Sequence, residues 1–117
     1  MSRTQVFVTA DIGCYGVEVR AADDPECGLV ATPPEELGLS DKLVRDFQLW
    51  QDWFDGVVGL CGLEGRFEVL GDRFDEVGRQ LADRVVAELG PAIGVGYVAQ
   101  GGWCLRLGRG YEVVVQE

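Results

Sequence analysis

The chain has 117 residues, of which 47% are hydrophobic and 26% are charged. These values are typical of one globular domain, here residues 1–117, and exclude a disordered chain or two full cores. The sequence contains 20 Asp and Glu but only 10 Lys and Arg. The resulting net charge of −10 repels nucleic acid and anionic membranes. The same charge favours a basic protein partner, or serves solubility alone.

The N-terminal sequence predicts the compartment. Met1 to Thr4 lead straight into a strand pattern, without the basic and apolar regions of a secretory signal. No apolar run approaches the roughly 20 residues of a membrane-spanning helix. We therefore expect a cytoplasmic protein with no membrane association.

The cysteines are scattered along the chain, at Cys14, Cys27, Cys61 and Cys104. None forms a C-x-x-C pair, and there is no His to complete a mixed zinc site. In a reducing compartment we expect free thiols, with no metal, no cofactor and no obligatory disulfide.

The first 40 residues predict a hairpin followed by a loop. Residues 5–10 and 15–20 alternate between apolar and polar side chains, and Gly13 lies in the short link between them, so an antiparallel hairpin is expected. Residues 21–40 have the composition of a loop. Within that loop, Thr32 is predicted to cap a single helical turn that has Pro33 at its first position and ends at Gly38.

Two amphipathic patterns predict helices at about residues 41–58 and 72–89, the first capped by Ser40. The apolar face of the first helix is made of Leu43, Phe47, Trp50, Phe54 and Val57. Its opposite face carries Asp41, Gln48, Asp52 and Asp55, while Asp46 and Leu49 fit neither face. The apolar stripe of the second helix is Phe74, Val77, Leu81, Val85 and Leu89. Between the helices, glycine recurs every third residue from Gly56, which predicts a flexible loop over residues 56–71 that could hold a short strand at 66–70.

The last 25 residues read as a meander, with strands predicted at 93–99, 103–107 and 111–116 and glycine-rich turns between them. The element order is therefore ββ-α-α-βββ. We predict an α+β fold, a two-layer sandwich with both helices packed on one face of a mostly antiparallel sheet of about five strands.

No complete catalytic motif is present. The absence of His excludes a His-dependent triad, and Gly94-Val95-Gly96 is not completed to a dinucleotide-binding motif because position 99 is Ala. Cys14 and Cys61 are candidate nucleophiles, but neither has a local base in the sequence. Two alternatives stay open: a small enzyme that uses Cys or carboxylate chemistry, and a small-ligand-binding regulatory domain.

The first helix carries the best candidate for a binding surface. Trp53 flanks the apolar stripe and is bordered by the carboxylates of Asp52 and Asp55, with Asp41 on the same polar face. A tryptophan among carboxylates suits a protein interface with Lys or Arg on the other side. We predict that Asp41, Asp52, Trp53 and Asp55 bind a basic protein.

Two stretches carry a family resemblance: residues 39–55, with Leu43, Phe47, Trp50 and Phe54, and residues 78–90. Together they resemble small acidic proteins of actinobacteria, mostly uncharacterised, over roughly the first four-fifths of the chain. In size, charge and setting the chain is similar to immunity proteins, which block a co-encoded toxin. The net charge, the acidic face of the first helix and the lack of a complete catalytic motif predict a non-catalytic acidic protein-binding module. The similarity implies that this module is an immunity protein that sequesters a basic toxin or enzyme.

Overall fold

The computed structural model describes residues 4–11, 13–21, 30–90, 93–99 and 104–107. Its strands are β1 (Thr4–Val8), β2 (Val17–Ala21), β3 (Val30–Ala31), β4 (Gly94–Val98) and β5 (Cys104–Leu107). They form one mixed sheet in the order β3-β2-β1-β4-β5. Between β3 and β4 come a 3-10 turn (Pro34–Leu37) and a helical run (Asp41–Leu89).

One face of the sheet is apolar because the strand register aligns the valines. Val6 and Val8 of β1 lie opposite valines of the antiparallel β2 and opposite apolar residues of the parallel β4. Side chains alternate between faces along a strand, so these residues all point to the same side. That side packs against the helices and contributes Val6, Val8, Val17, Val95 and Tyr97 to the core.

The pairing of β1 with β4 is parallel, which makes the sheet mixed although its other three pairings are antiparallel, as predicted. The long helical connection returns the chain to the start of β1, and such a crossover allows parallel pairing. The order ββ-α-α-βββ is wrong in one respect: β3 precedes the helices, where a loop was predicted. Its two residues are too few to show a period of two. The predicted strand at 111–116 lies outside the described residues.

The helical run Asp41–Leu89 is interrupted at Gly62 and Gly71, where φ is 77° and 63°. We call residues 41–61 α1 and residues 72–89 α2; residues 63–70 form a short helical link. The predicted loop over residues 56–71 and the strand at 66–70 are therefore wrong. Gly56, Gly59 and Gly65 are helical, so Gly62 is the one member of the series (Gly56, Gly59, Gly62 and Gly65) with the positive φ that glycine permits.

The predicted helix starts and apolar stripes are largely confirmed. Ser40 caps α1 by accepting a hydrogen bond from the Leu43 N–H at 3.3 Å, but Thr32 does not cap the 3-10 turn, since its hydroxyl donates to the Val30 carbonyl. The five predicted residues of the α1 stripe are all buried, and so are Phe74, Leu81 and Val85 of α2. No helix in the described part of the chain is long and apolar enough to cross a membrane.

Candidate functional site

A groove with a volume of about 270 Å³ lies where α1 packs against α2. Its floor is formed by the buried side chains of Trp50 and Leu81. Its walls are apolar: Leu49 is 61% exposed, and Trp53 and Val77 are half-buried. The polar residues of its lining are Asp46, Gln80 and Arg84.

Helical spacing explains why these residues meet. Asp46, Leu49 and Trp53 follow one another at intervals of three and four residues, and Val77, Leu81 and Arg84 do the same on α2. Side chains three or four apart lie on the same side of a helix. Each helix therefore contributes two turns of one side to the groove.

An aromatic stack fixes the floor of the groove. The Trp50 ring stacks on Phe74 with the centroids 4.6 Å apart, and its indole N–H donates to the Phe74 carbonyl at 3.1 Å. Trp53 meets Phe74 edge-on, with centroids 4.9 Å apart and planes at 78°. Such aromatic contacts contribute about 0.5–1.5 kcal/mol each beyond their buried area, so Trp53 is held in place before any partner binds.

An ion pair belongs to the lining of the groove. The Arg84 guanidinium donates to the Asp46 carboxylate at 2.6 Å, and the two side chains are 37% and 32% exposed. A pair this accessible to water is worth about 0–1 kcal/mol. An incoming charged group can therefore compete for either partner at little cost.

The predicted binding residues occupy different parts of the α1 surface. Asp41 is the exposed first residue of the helix, next to the Ser40 cap. Asp52 and Asp55 are exposed, and each accepts one hydrogen bond from a glutamine amide, Gln48 at 2.9 Å and Gln51 at 3.0 Å. A carboxylate has about four acceptor sites, so both keep capacity for a partner's Lys or Arg.

The groove brings Trp53 together with residues other than those predicted. At 100° per residue, Asp41, Asp52 and Asp55 share one side of α1, whereas Trp53 is turned about 100° from Asp52, toward the groove. Asp41 also lies about 16 Å from Asp52 along the helix axis. Asp52 does not line the groove but stands three residues from Leu49, which does, whereas Asp41 is distant from it.

Sequence reasoning did not assign Asp46, Leu49, Val77 or Arg84 to a site. The signal for two of them was nevertheless present, because Asp46 and Leu49 fit neither face of the predicted helix. Both line the groove. The α2 residues had no such signal, since which residues of α2 face α1 depends on how the two helices pack.

A second polar cluster lies at the turn between β1 and β2. The ligand atoms of Asp11, Cys14 and Glu18 are all within 4.8 Å of one another, and the Cys14 thiol contacts Glu18 at 3.6 Å. Burial, together with the charges of Glu18, Asp11 and Asp55, raises the pKa of Cys14 to about 11. The thiol therefore stays protonated at neutral pH, which does not suit a nucleophile. Three donors are also one fewer than a closed zinc site uses.

The second candidate nucleophile, Cys61, is a free and exposed thiol near the end of α1. Cys14 is likewise a free thiol in the structure. Cys27 and the side chain of Cys104 lie outside the described residues.

A family model described as "Serratia CdiI immunity protein-like" matches residues 4–100 of the 117. The matched stretch takes in β1 to β4, both helices and the groove between them. No curated protein and no solved structure matches the chain. The match confirms the similarity to immunity proteins, and it covers far more than half of the sequence. The chain therefore belongs to the Serratia CdiI immunity protein-like family.

Proposed function

We propose that this protein is a cytoplasmic, non-catalytic immunity protein that neutralises one basic toxin by binding it. Membership of the family is the observation that carries this proposal, because CdiI immunity proteins bind cognate CdiA toxin domains. The partner would be the toxin domain encoded beside it.

The charge of the chain supports a basic partner. A net charge of −10 on 117 residues attracts a positively charged surface over distances beyond direct contact and raises the association rate. The Debye length is about 10 Å at 0.1 M salt. We therefore expect the association rate with the toxin to fall steeply as salt is added.

The contact surface that we propose is the outer side of α1. Asp52 and Asp55 would pair with Lys or Arg of the toxin, and Trp53 would exclude water beside them. Asp41 lies about 16 Å away and would contact the edge of the same interface. Neutralisation follows if the basic residues thus covered belong to the substrate site of the toxin.

The other two functional classes receive less support. The groove between α1 and α2, at about 270 Å³, falls below the roughly 300–1,000 Å³ of most ligand pockets, so this groove gives little support to a small-ligand domain. A nucleophilic thiol needs a lowered pKa, and because the pKa of Cys14 is raised, Cys14 is an unsuitable nucleophile for a thiol enzyme.

The proposal is tested by co-expressing this protein with the toxin domain encoded beside it in the native genome and measuring growth. Wild type should restore growth, whereas Asp52→Asn with Asp55→Asn should protect less and bind more weakly. The matched control is Glu35→Gln with Glu36→Gln, which removes the same charge from exposed residues of the 3-10 turn. If wild type neither protects nor binds, the immunity function is wrong. If both double variants lose protection equally, the charge acts without a defined contact surface.

A further inference from the structure

We infer that the groove between α1 and α2 receives one apolar side chain of the toxin, with a Lys or Arg of the toxin beside it on Asp52. This inference rests on the proposed function and deepens it. It makes Leu49 and Trp53 the central contact and Asp52 part of the rim.

The first argument is the exposure of apolar surface in the groove. Leu49 is 61% exposed, although α1 already buries a complete apolar stripe in the core. Trp53, one turn further along, is half-buried and held against Phe74. Interface centres typically combine such rigid aromatic anchors with a polar rim that excludes water.

The second argument is size. A groove of about 270 Å³ is too small for most metabolites but has room for a side chain or two. Its floor is closed by Trp50 and Leu81, which are 2% and 3% exposed. A side chain that enters it therefore loses contact with water on several sides, which is the source of binding energy for an apolar group.

The third argument is charge complementarity. Asp46 and Asp52 stand three residues before and three residues after Leu49, so both lie next to it on the helix surface. Asp46 is already paired with Arg84, whereas the bond to Asp52 comes from a neutral amide. A basic residue of the partner would thus meet the charge of Asp52. A second copy of this chain would carry the same net charge of −10, and the repulsion between the two copies disfavours self-association.

The test compares Leu49→Glu with Leu60→Glu in the full chain. Leu60 lies in the same helix, is 89% exposed and does not line the groove, so the two variants share their chemistry and differ in position. The dissociation constant is measured by calorimetry with an enzymatically inactive form of the neighbouring toxin. Leu49→Glu should weaken binding at least roughly 30-fold, as expected for a hot spot. Leu60→Glu should bind as wild type does.

A second variant fills the groove instead of charging it. Gln80→Trp adds bulk from the α2 wall at an exposed position and should also weaken binding; circular dichroism verifies that each variant is folded. If Leu49→Glu is not folded, Gln80→Trp decides alone.

The outcomes separate the two proposals. If wild type binds and Leu49→Glu binds equally tightly, the groove inference is overturned and the immunity function stands. Equal weakening by Leu49→Glu and Leu60→Glu also overturns it, because added charge then explains both. If wild type does not bind the toxin, the proposed function itself fails.

Discussion

Gly78 of α2 offers a direct test of the packing between the helices and the sheet. A Cβ atom at this position would lie 2.4 Å from Cε1 of Tyr97 and 2.6 Å from Cζ2 of Trp50. Carbon atoms normally approach to about 3.5–4.0 Å. Neither ring can move aside easily, because both are buried. The Tyr97 hydroxyl also donates a hydrogen bond to Asp75 at 2.5 Å, and the Trp50 indole N–H donates one to the Phe74 carbonyl.

The expected cost of Gly78→Ala follows from two opposing effects. Replacing glycine by alanine inside a helix ordinarily stabilises it by about 1 kcal/mol. Overpacking a well-filled core costs about 1–3 kcal/mol, and two contacts at least 0.9 Å too short place this site at the upper end of that range. The free energy of unfolding should therefore fall by about 2 kcal/mol.

The measurement is urea unfolding followed by tryptophan fluorescence, with Gly56→Ala as the matched control. Gly56 lies in α1, and a Cβ there would meet nothing within 4 Å, so its replacement should raise the free energy of unfolding by up to about 1 kcal/mol. The same substitution is thus expected to act with opposite signs at the two positions. A Gly78→Ala variant as stable as wild type would refute the close approach of Trp50 and Tyr97 to α2.

Three further predictions concern the cap of α1 and the thiols. Ser40→Ala should lower the free energy of unfolding in urea by about 1–2 kcal/mol, since its hydroxyl caps the helix and also donates to Glu88 at 2.7 Å; an unchanged midpoint would contradict the cap. Hydrogen bonds from the Ser40 side chain and backbone hold the pKa of Glu88 below its usual 4.5, so its contribution to stability is present above pH 4.5 and is lost as the pH falls through the lowered value. Glu88→Gln should therefore flatten the loss of stability in acid, and an unaltered pH dependence would argue against the bond. Iodoacetamide at pH 8 should modify the exposed Cys61 well before Cys14, whose pKa is about 11, and Glu18→Gln should speed labelling of Cys14; peptide mass spectrometry showing equal rates would count against the raised pKa.

The elements that the sequence predicts best are those decided by local physics. The Ser40 cap and the five-residue stripe of α1 depend on spacing within one helix, and both are present in the structure. The glycine series was misread because each Gly is individually compatible with helix or turn. Gly62 and Gly71 adopt positive φ while Gly56 remains helical, and nothing in the residues themselves separates these cases.

What the sequence could not give depends on contacts between distant residues. The parallel pairing of β1 with β4 can be predicted only if it is known that the chain returns to the free edge of β1 after α2. The groove likewise exists only because α1 and α2 pack side by side. Asp46 and Leu49 broke the helical pattern, and such violations are expected where a surface serves binding rather than stability. Their partners on α2 gave no comparable sign.

The parallel pair at the centre of the sheet also sets when the protein can fold. Gln5 of β1 pairs with Gly94 of β4, about 90 residues later, and bacterial or eukaryotic synthesis at about 5–20 residues per second takes roughly 5–20 s to cover that distance. The hairpin of β1 and β2 forms from neighbouring residues, but one edge of β1 has no strand beside it until α1 and α2 have been made. The sheet is therefore completed only after β4 and β5 have been synthesised, so the binding of a toxin that we propose would begin only after that point.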